Sequence, residues 1–236
     1  MPNPSRLVLL FVIPVVIHVI AYGTSIAIIR TDQEIVIATD SRAIDMGLDS
    51  ESDVCKIRNA GALNFTFVGQ SATTGVDFKS ITERVLRSSG TLDEKLENLV
   101  KELKPHLERA LQTSPQAAAL AIKQGSITSI AVYGLYEGRL ILEVIIFPVS
   151  GDGHMGIATR ASCPGTQCPN GRFPITVPKG TIDTNMQPIR AVRAFVKSWI
   201  DKGIPSIGGP IQVLRIDRSG NRTWNGGKPS VCEDQP

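Results

Sequence analysis

Thr24 follows Gly23 directly, at the end of a long apolar leader. A threonine hydroxyl is a poor nucleophile until a base takes its proton. A chain that began at Thr24 would carry that hydroxyl and a free α-amine on one residue. Such an amine has a pKa of about 7.7 to 8. It is therefore partly neutral near physiological pH, as a general base requires. An internal threonine has no amine and lacks this option. On this reading, cleavage between Gly23 and Thr24 is the activating event.

The leader fits that role. Arg6 is the only charge in residues 1–23, and Leu7 to Ile20 is an almost unbroken apolar run of 14 residues. A membrane-spanning helix needs about 20, and Pro14 and His18 further disfavour a permanent span. The length suits the h-region of a secretory signal, and Ala21-Tyr22-Gly23 fits a small-x-small cleavage site. The expectation is a cleaved signal peptide over 1–23 and an exported, periplasmic or secreted product. A retained anchor is the alternative. Thr24 has two routes to exposure: signal peptidase, which the signal-like leader favours, or self-cleavage of the Gly23–Thr24 bond.

The four cysteines suit an oxidising compartment. Cys163 and Cys168 flank a Pro-Gly-Thr-Gln loop and are the first candidates for a pair. Cys55 with Cys232 is then what is left of three connectivities. A zinc site is the other reading, but only one short Cys pair exists and neither His106 nor His154 has ligand spacing to it. No metal or cofactor is expected. The net charge of +3 is small for 236 residues, and no basic run with interleaved aromatics suggests nucleic acid. No Gly-x-Ser-x-Gly elbow or Ser-His-Asp set is present. Asn64 and Asn221 sit in glycosylation sequons, read as chance matches outside a eukaryotic source.

Several elements must position Thr24. Thr24–Arg30 and Glu34–Thr39 read as a strand hairpin, followed by a polar loop from Asp40 to Asp53. Val54–Arg58 and Leu63–Val68 read as a second hairpin. Phe78, Ile81 and Val85 recur at helical spacing up to Ser88-Ser89-Gly90. Thr91 to Glu94 is a capping box that opens a leucine stripe from Leu92 to Leu107, with Pro105 expected to kink or interrupt it. Ile127–Tyr136 and Leu140–Phe147 pair as strands, and 148–180 reads as irregular. A second capping box, Thr184 to Gln187, opens a helix that Gly203 ends. Ile211–Ile216 and Arg222–Trp224 form a last hairpin, and the tail from Gly226 reads as loose apart from Cys232. This order implies one α+β domain over 24–225, with helices segregated onto antiparallel sheets.

The run GTSIAII…EIVIATDSRAI…SDVCKI…FTFVGQSA resembles the start of a proteasome β-subunit and of its bacterial ATP-dependent relatives. These are N-terminal nucleophile hydrolases. Asp40, Arg42 and Lys56 lie 16, 18 and 32 positions after Thr24, the family's offsets without a gap. The resemblance implies a four-layer αββα sandwich. It implies Thr24 as nucleophile and, through its amine, as base. Lys56 would approach the Thr24 hydroxyl, where its charge favours the deprotonated oxygen and lowers the amine's pKa. Asp40 would hold Lys56, and Arg42 would brace the turn. Gly69, placed with a one-residue gap, would supply an oxyanion N–H worth about 3 kcal/mol. Asp201 and Ser206 match a segment near the threonine amine, with two extra residues between them.

The resulting expectation is an exported threonine amidohydrolase, a peptidase in the first instance. A non-peptide amidase or acylase and a non-catalytic structural or binding module are the alternatives. Export separates the chain from ATP-dependent unfoldases, so the expected substrates are short peptides, unfolded chains or small amides. Homo-oligomers follow by analogy with ring-forming relatives.

Overall fold

The computed structural model describes residues 24–45, 50–73, 75–163, 172–173, 186–204 and 206–233. The expected leader, Cys168 and Thr184 lie outside these residues. The fold is mixed α and β, with antiparallel sheets and four helices among the described residues.

β1 (Ile26–Arg30) and β2 (Glu34–Thr39) form the expected hairpin. Both are almost continuously apolar because both faces are covered. Ile26, Ile28, Ile35 and Ile37 point into one buried cluster. Ala27, Ile29, Val36 and Ala38 point into another on the opposite face. The polar loop expected after them contains a short hairpin, β3 (Arg42–Asp45) and β4 (Ser50–Asp53). β5 (Arg58–Ala60) pairs with β6 (Leu63–Gly69). The segment 54–57 before β5 is not strand, contrary to expectation. Its alternation of Val54, Cys55, Lys56 and Ile57 comes from other anchors, described below.

β7 (Ala72–Thr73) and β8 (Val76–Asp77) lead into α1 (Phe78–Arg87). α2 (Leu92–Thr113) opens with the expected capping box, Thr91 and Glu94 satisfying each other's backbone N–H. Pro105 does not interrupt it. Pro105 and Lys101, whose carbonyl loses its usual donor, both lie on the exposed side. Leu96, Leu99, Leu103 and Leu107 hold both halves of the helix in the core. Each such buried leucine contributes about 1.5–3 kcal/mol, comparable to the roughly 3 kcal/mol a helix proline costs. The break comes later, at Ser114-Pro115, where α3 (Pro115–Gln124) begins.

β9 (Ser126–Tyr136) and β10 (Arg139–Pro148) are the longest strands. The stretch expected to be irregular supplies β11 (Thr159–Ser162) and β12 (Arg172–Phe173) as edge strands. α4 (Pro188–Ile200) starts from Gln187, which makes no side-chain cap. β13 (Gln212–Asp217) and β14 (Arg222–Trp224) complete the chain's strands. The tail is not wholly loose: a 3-10 turn, Ser230–Cys232, ends on a buried cysteine.

One five-stranded sheet runs β12-β1-β2-β13-β14 and the other β11-β10-β9-β6-β5. Ile28 and Ile37 of the first meet Tyr133, Leu142 and Val144 of the second in a shared core. α1 and α2 cover the outer face of the second sheet, and α4 covers that of the first. Within the shared core, the buried Tyr133 hydroxyl pairs with Thr66 Oγ1 at 3.0 Å. Asn64, in its sequon, is only 2% exposed, so the folded chain offers it no access to a glycan.

Cys55 and Cys232 are bridged, 177 positions apart in sequence. Cys163 is disulfide-bonded too, and its expected partner Cys168 lies outside the described residues. No described helix is long and apolar enough to cross a membrane.

Candidate functional site

β2 ends at Thr39 and delivers Asp40 into the interior, where it is fully buried. A carboxylate in such a place needs donors, and Asp40 has three. Its Oδ1 accepts the Ser25 backbone N–H at 2.8 Å. Its Oδ2 accepts the Lys56 ammonium at 2.9 Å and the Gly208 N–H at 3.1 Å. The Asp40 N–H in turn donates to the Ser25 carbonyl at 3.2 Å. The β1–β2 register, with Ile26 opposite Thr39, sets Ser25 beside Asp40. Thr24, half-buried, is the next residue along.

The Lys56 side chain is 9% exposed. Burial pushes its pKa below the ordinary lysine value, Asp40 opposes this, and the charges of Lys79 and Arg42 push it further down. Burial likewise raises Asp40, against the pull of Lys56 and of the Gly208 and Ser25 N–H groups. The pair is thus held by mutual attraction in a setting that disfavours either charge alone.

The turn after Asp40 is tied to Gly208 through the backbone of Arg42 and Ser41. The Arg42 N–H and that of Ser41 both donate to the Gly208 carbonyl, at 3.0 and 3.1 Å. The Arg42 guanidinium lies 3.5 Å from Glu51 and against Gly208, where an added Cβ would stand 2.6 Å from Arg42 Cζ. Gly209 has φ +71°, and a Cβ there would come within 2.2 Å of Asp53 Oδ1 and of Ser41 Oγ. Those two atoms are themselves hydrogen-bonded at 2.6 Å. Two glycines therefore let the 206–209 turn press against the Asp40–Arg42 turn.

Ser206, at the head of that turn, is buried with no hydrogen-bond partner for its hydroxyl among the described residues, and so is Ser25. Gly69 ends β6 with φ +97°, packed so closely on β9 that a Cβ would stand 2.8 Å from the Ile127 carbonyl. Asp201 is not brought to Asp40. It caps the C-terminal end of α4, 57% exposed, and both its oxygens accept from Lys197 one turn earlier. The two extra residues before Ser206 leave it at the helix end.

Sequence reasoning missed Gln212. This residue, 1% exposed on β13, hydrogen-bonds the backbone on both sides of Cys55. Among the described residues no group of His, Cys, Asp and Glu could hold a metal ion.

The chemistry available is that of a buried, charge-paired lysine joined through Asp40 to Ser25, the residue after Thr24. No protein-family profile matches the chain, and no curated protein matches it.

Proposed function

We propose that this chain is an exported N-terminal nucleophile hydrolase, a threonine amidohydrolase acting on peptides or small amides. The observation that carries the reading is Asp40, whose two carboxylate oxygens join Lys56 to the residue after Thr24. Removal of residues 1–23 would give Thr24 a free amine. That amine takes the proton from Thr24 Oγ, and the oxygen attacks the amide carbonyl carbon. Lys56 stabilises the developing oxyanion of Thr24, and the Gly69 N–H is the candidate donor for the tetrahedral oxygen. The protonated amine then gives its proton to the leaving nitrogen as the C–N bond breaks. Water, deprotonated by the same amine, hydrolyses the resulting ester and restores Thr24.

Three further features support it. Among the described residues, Ser206 has a buried hydroxyl without a partner, which a freed ammonium or amine could satisfy. The two packed sheets with helices on their outer faces suit the αββα sandwich of this hydrolase class. The Cys55–Cys232 bridge fits an exported product. Outside the cell no ATP-dependent unfoldase is at hand, so the substrates are chains already unfolded, short peptides or small amides.

Mass spectrometry of the mature chain and a peptide-amide panel test the reading. The expected results are an N-terminus at Thr24 and turnover that vanishes in Thr24→Ala. A mature chain starting elsewhere removes the amine base. Turnover unchanged in Thr24→Ala excludes catalysis at this residue, and no turnover by either chain favours a binding module.

A further inference from the structure

Lys56 sits on a segment that has no strand partner, yet its ammonium must be held to a narrow position. One side chain replaces the missing strand. Gln212 Nε2 donates to the Val54 carbonyl at 2.6 Å. Gln212 Oε1 accepts the Lys56 N–H at 3.0 Å. A side-chain amide carries one donor edge and one acceptor, so it satisfies the carbonyl of Val54 and the N–H of Lys56 as a neighbouring strand would.

Gln212 is also tied to the other half of the ion pair. It stands opposite Thr39 in the β2–β13 register, and its Oε1 accepts from Thr39 Oγ1 at 3.5 Å. Thr39 immediately precedes Asp40. A single buried amide therefore touches the residue before the carboxylate and the backbone of the lysine. On the other side, the segment is held through Cys55 by the bridge to Cys232. The bridge keeps the segment from leaving, and the amide fixes where along it Lys56 projects.

We propose that Gln212 is a positioning residue that sets the Lys56 ammonium against Asp40, and through it against Thr24. This rests on the hydrolase reading for its effect on rate, though not for its effect on Lys56. Methionine would fill similar volume but leave the Val54 carbonyl and the Lys56 N–H unpaired. Glutamate would keep the length and accept from Lys56, but its charged form would set an oxygen against the Val54 carbonyl. Only when protonated does it present the donor and acceptor of the amide.

The test uses the full chain after its own processing, with 13C-labelled lysine. Lys56 is assigned by the signal lost in Lys56→Arg. Gln212→Met and Gln212→Glu are compared with wild type for kcat, KM and the Lys56 titration. In Gln212→Met, kcat is expected to fall about tenfold, the rate equivalent of one hydrogen bond. KM should change little, and the Lys56 titration should move further below the ordinary lysine range, since a buried ammonium set off from Asp40 loses the attraction that opposes burial. In Gln212→Glu, activity relative to wild type should recover as pH falls and the carboxyl takes its proton.

A merely structural role would lower thermal stability while leaving kcat per folded molecule and the Lys56 titration unchanged. It would also leave the Gln212→Glu to wild-type ratio flat with pH. That result overturns the inference. If Gln212→Met does not fold, the pH dependence of Gln212→Glu decides by the same criterion. If wild type is inactive, the hydrolase reading falls, and the Lys56 titration in the two variants still decides the positioning role.

Discussion

The Lys56 ammonium lies 2.9 Å from one oxygen of Asp40, while the other oxygen takes the Ser25 N–H at 2.8 Å. One carboxylate thus bridges a cation and the start of β1. The consequences of that bridge can be measured.

Asp40→Asn should destabilise the chain by about 3 to 5 kcal/mol, since it leaves a buried ammonium without its counter-charge. Urea denaturation reads the loss. The double variant Asp40→Asn, Lys56→Met should cost less than the sum of the two single changes. Additive costs would mean that the two groups do not interact.

The pH profile of kcat/KM should be bell-shaped. Activity should rise as the Thr24 amine loses its proton, which the neighbouring Lys56 charge sets below the ordinary α-amine value of about 7.7 to 8. It falls again as Lys56 loses its own. Burial, with Lys79 and Arg42 adding to it against Asp40, sets the Lys56 value below 10.5, so the basic limb should lie below the ordinary lysine range. Lys56→Arg, whose guanidinium stays charged past about pH 12, should shift that limb upward in any residual activity. A basic limb that stays in place would assign it to another group. Linkage has the matching sign. As pH falls below 10.5 toward the lowered folded value, the unfolded chain binds the proton first, and this group's contribution to stability declines.

Gly209→Ala should lower stability by about 1 to 3 kcal/mol, through its left-handed backbone and the Ser41–Asp53 pair its Cβ would strike. Gly208→Ala, pressed on Arg42, should in addition weaken activity by moving its N–H off Asp40. Thermal unfolding and turnover of the two variants separate these effects. Equal activity loss in both would argue against a specific Gly208–Asp40 bond.

Replacing Cys55 and Cys232 together by serine should cost about 2 to 5 kcal/mol and reduce turnover, because Cys55 neighbours Lys56 on a segment outside any strand. Calorimetry and the peptide-amide panel check this. Full activity in the serine variant would leave the positioning of Lys56 to the hydrogen bonds of the segment, those to Gln212 and that from the Val54 N–H to the Ser41 carbonyl.

Much of this arrangement was legible from the chain alone, for physical reasons that differ by residue. β1 and β2 declare themselves by apolar runs that need cover on both faces. Asp40 and Lys56 stood out by type and spacing, and the structure brings them together. The strand expected around Lys56 was misread because Val54, Cys55 and Ile57 alternate like one. In fact Cys55 and Ile57 are buried, while Val54 and Lys56 are held through their backbone by Gln212. That contact joins positions 156 and 158 residues apart, and a lone glutamine carries no local mark of it. Pro105 leaves the helix uninterrupted because burial of the leucines on its far side offsets the cost of the proline, and how deeply those leucines are buried is not written in their spacing. Asp201, matched through a motif stretched by two residues, has both its oxygens on Lys197 at the exposed end of α4.

The bridge from Cys55 to Cys232 joins residues 177 positions apart in sequence. A polypeptide cannot make it until residue 232 has left the ribosome, and one cut short before that residue never can. In a reducing compartment the two thiols would stay apart. The loop that presents Lys56 is thus finished only once residue 232 has emerged and been oxidised, which sets an order on maturation and keeps a shorter nascent chain from carrying a finished lysine loop.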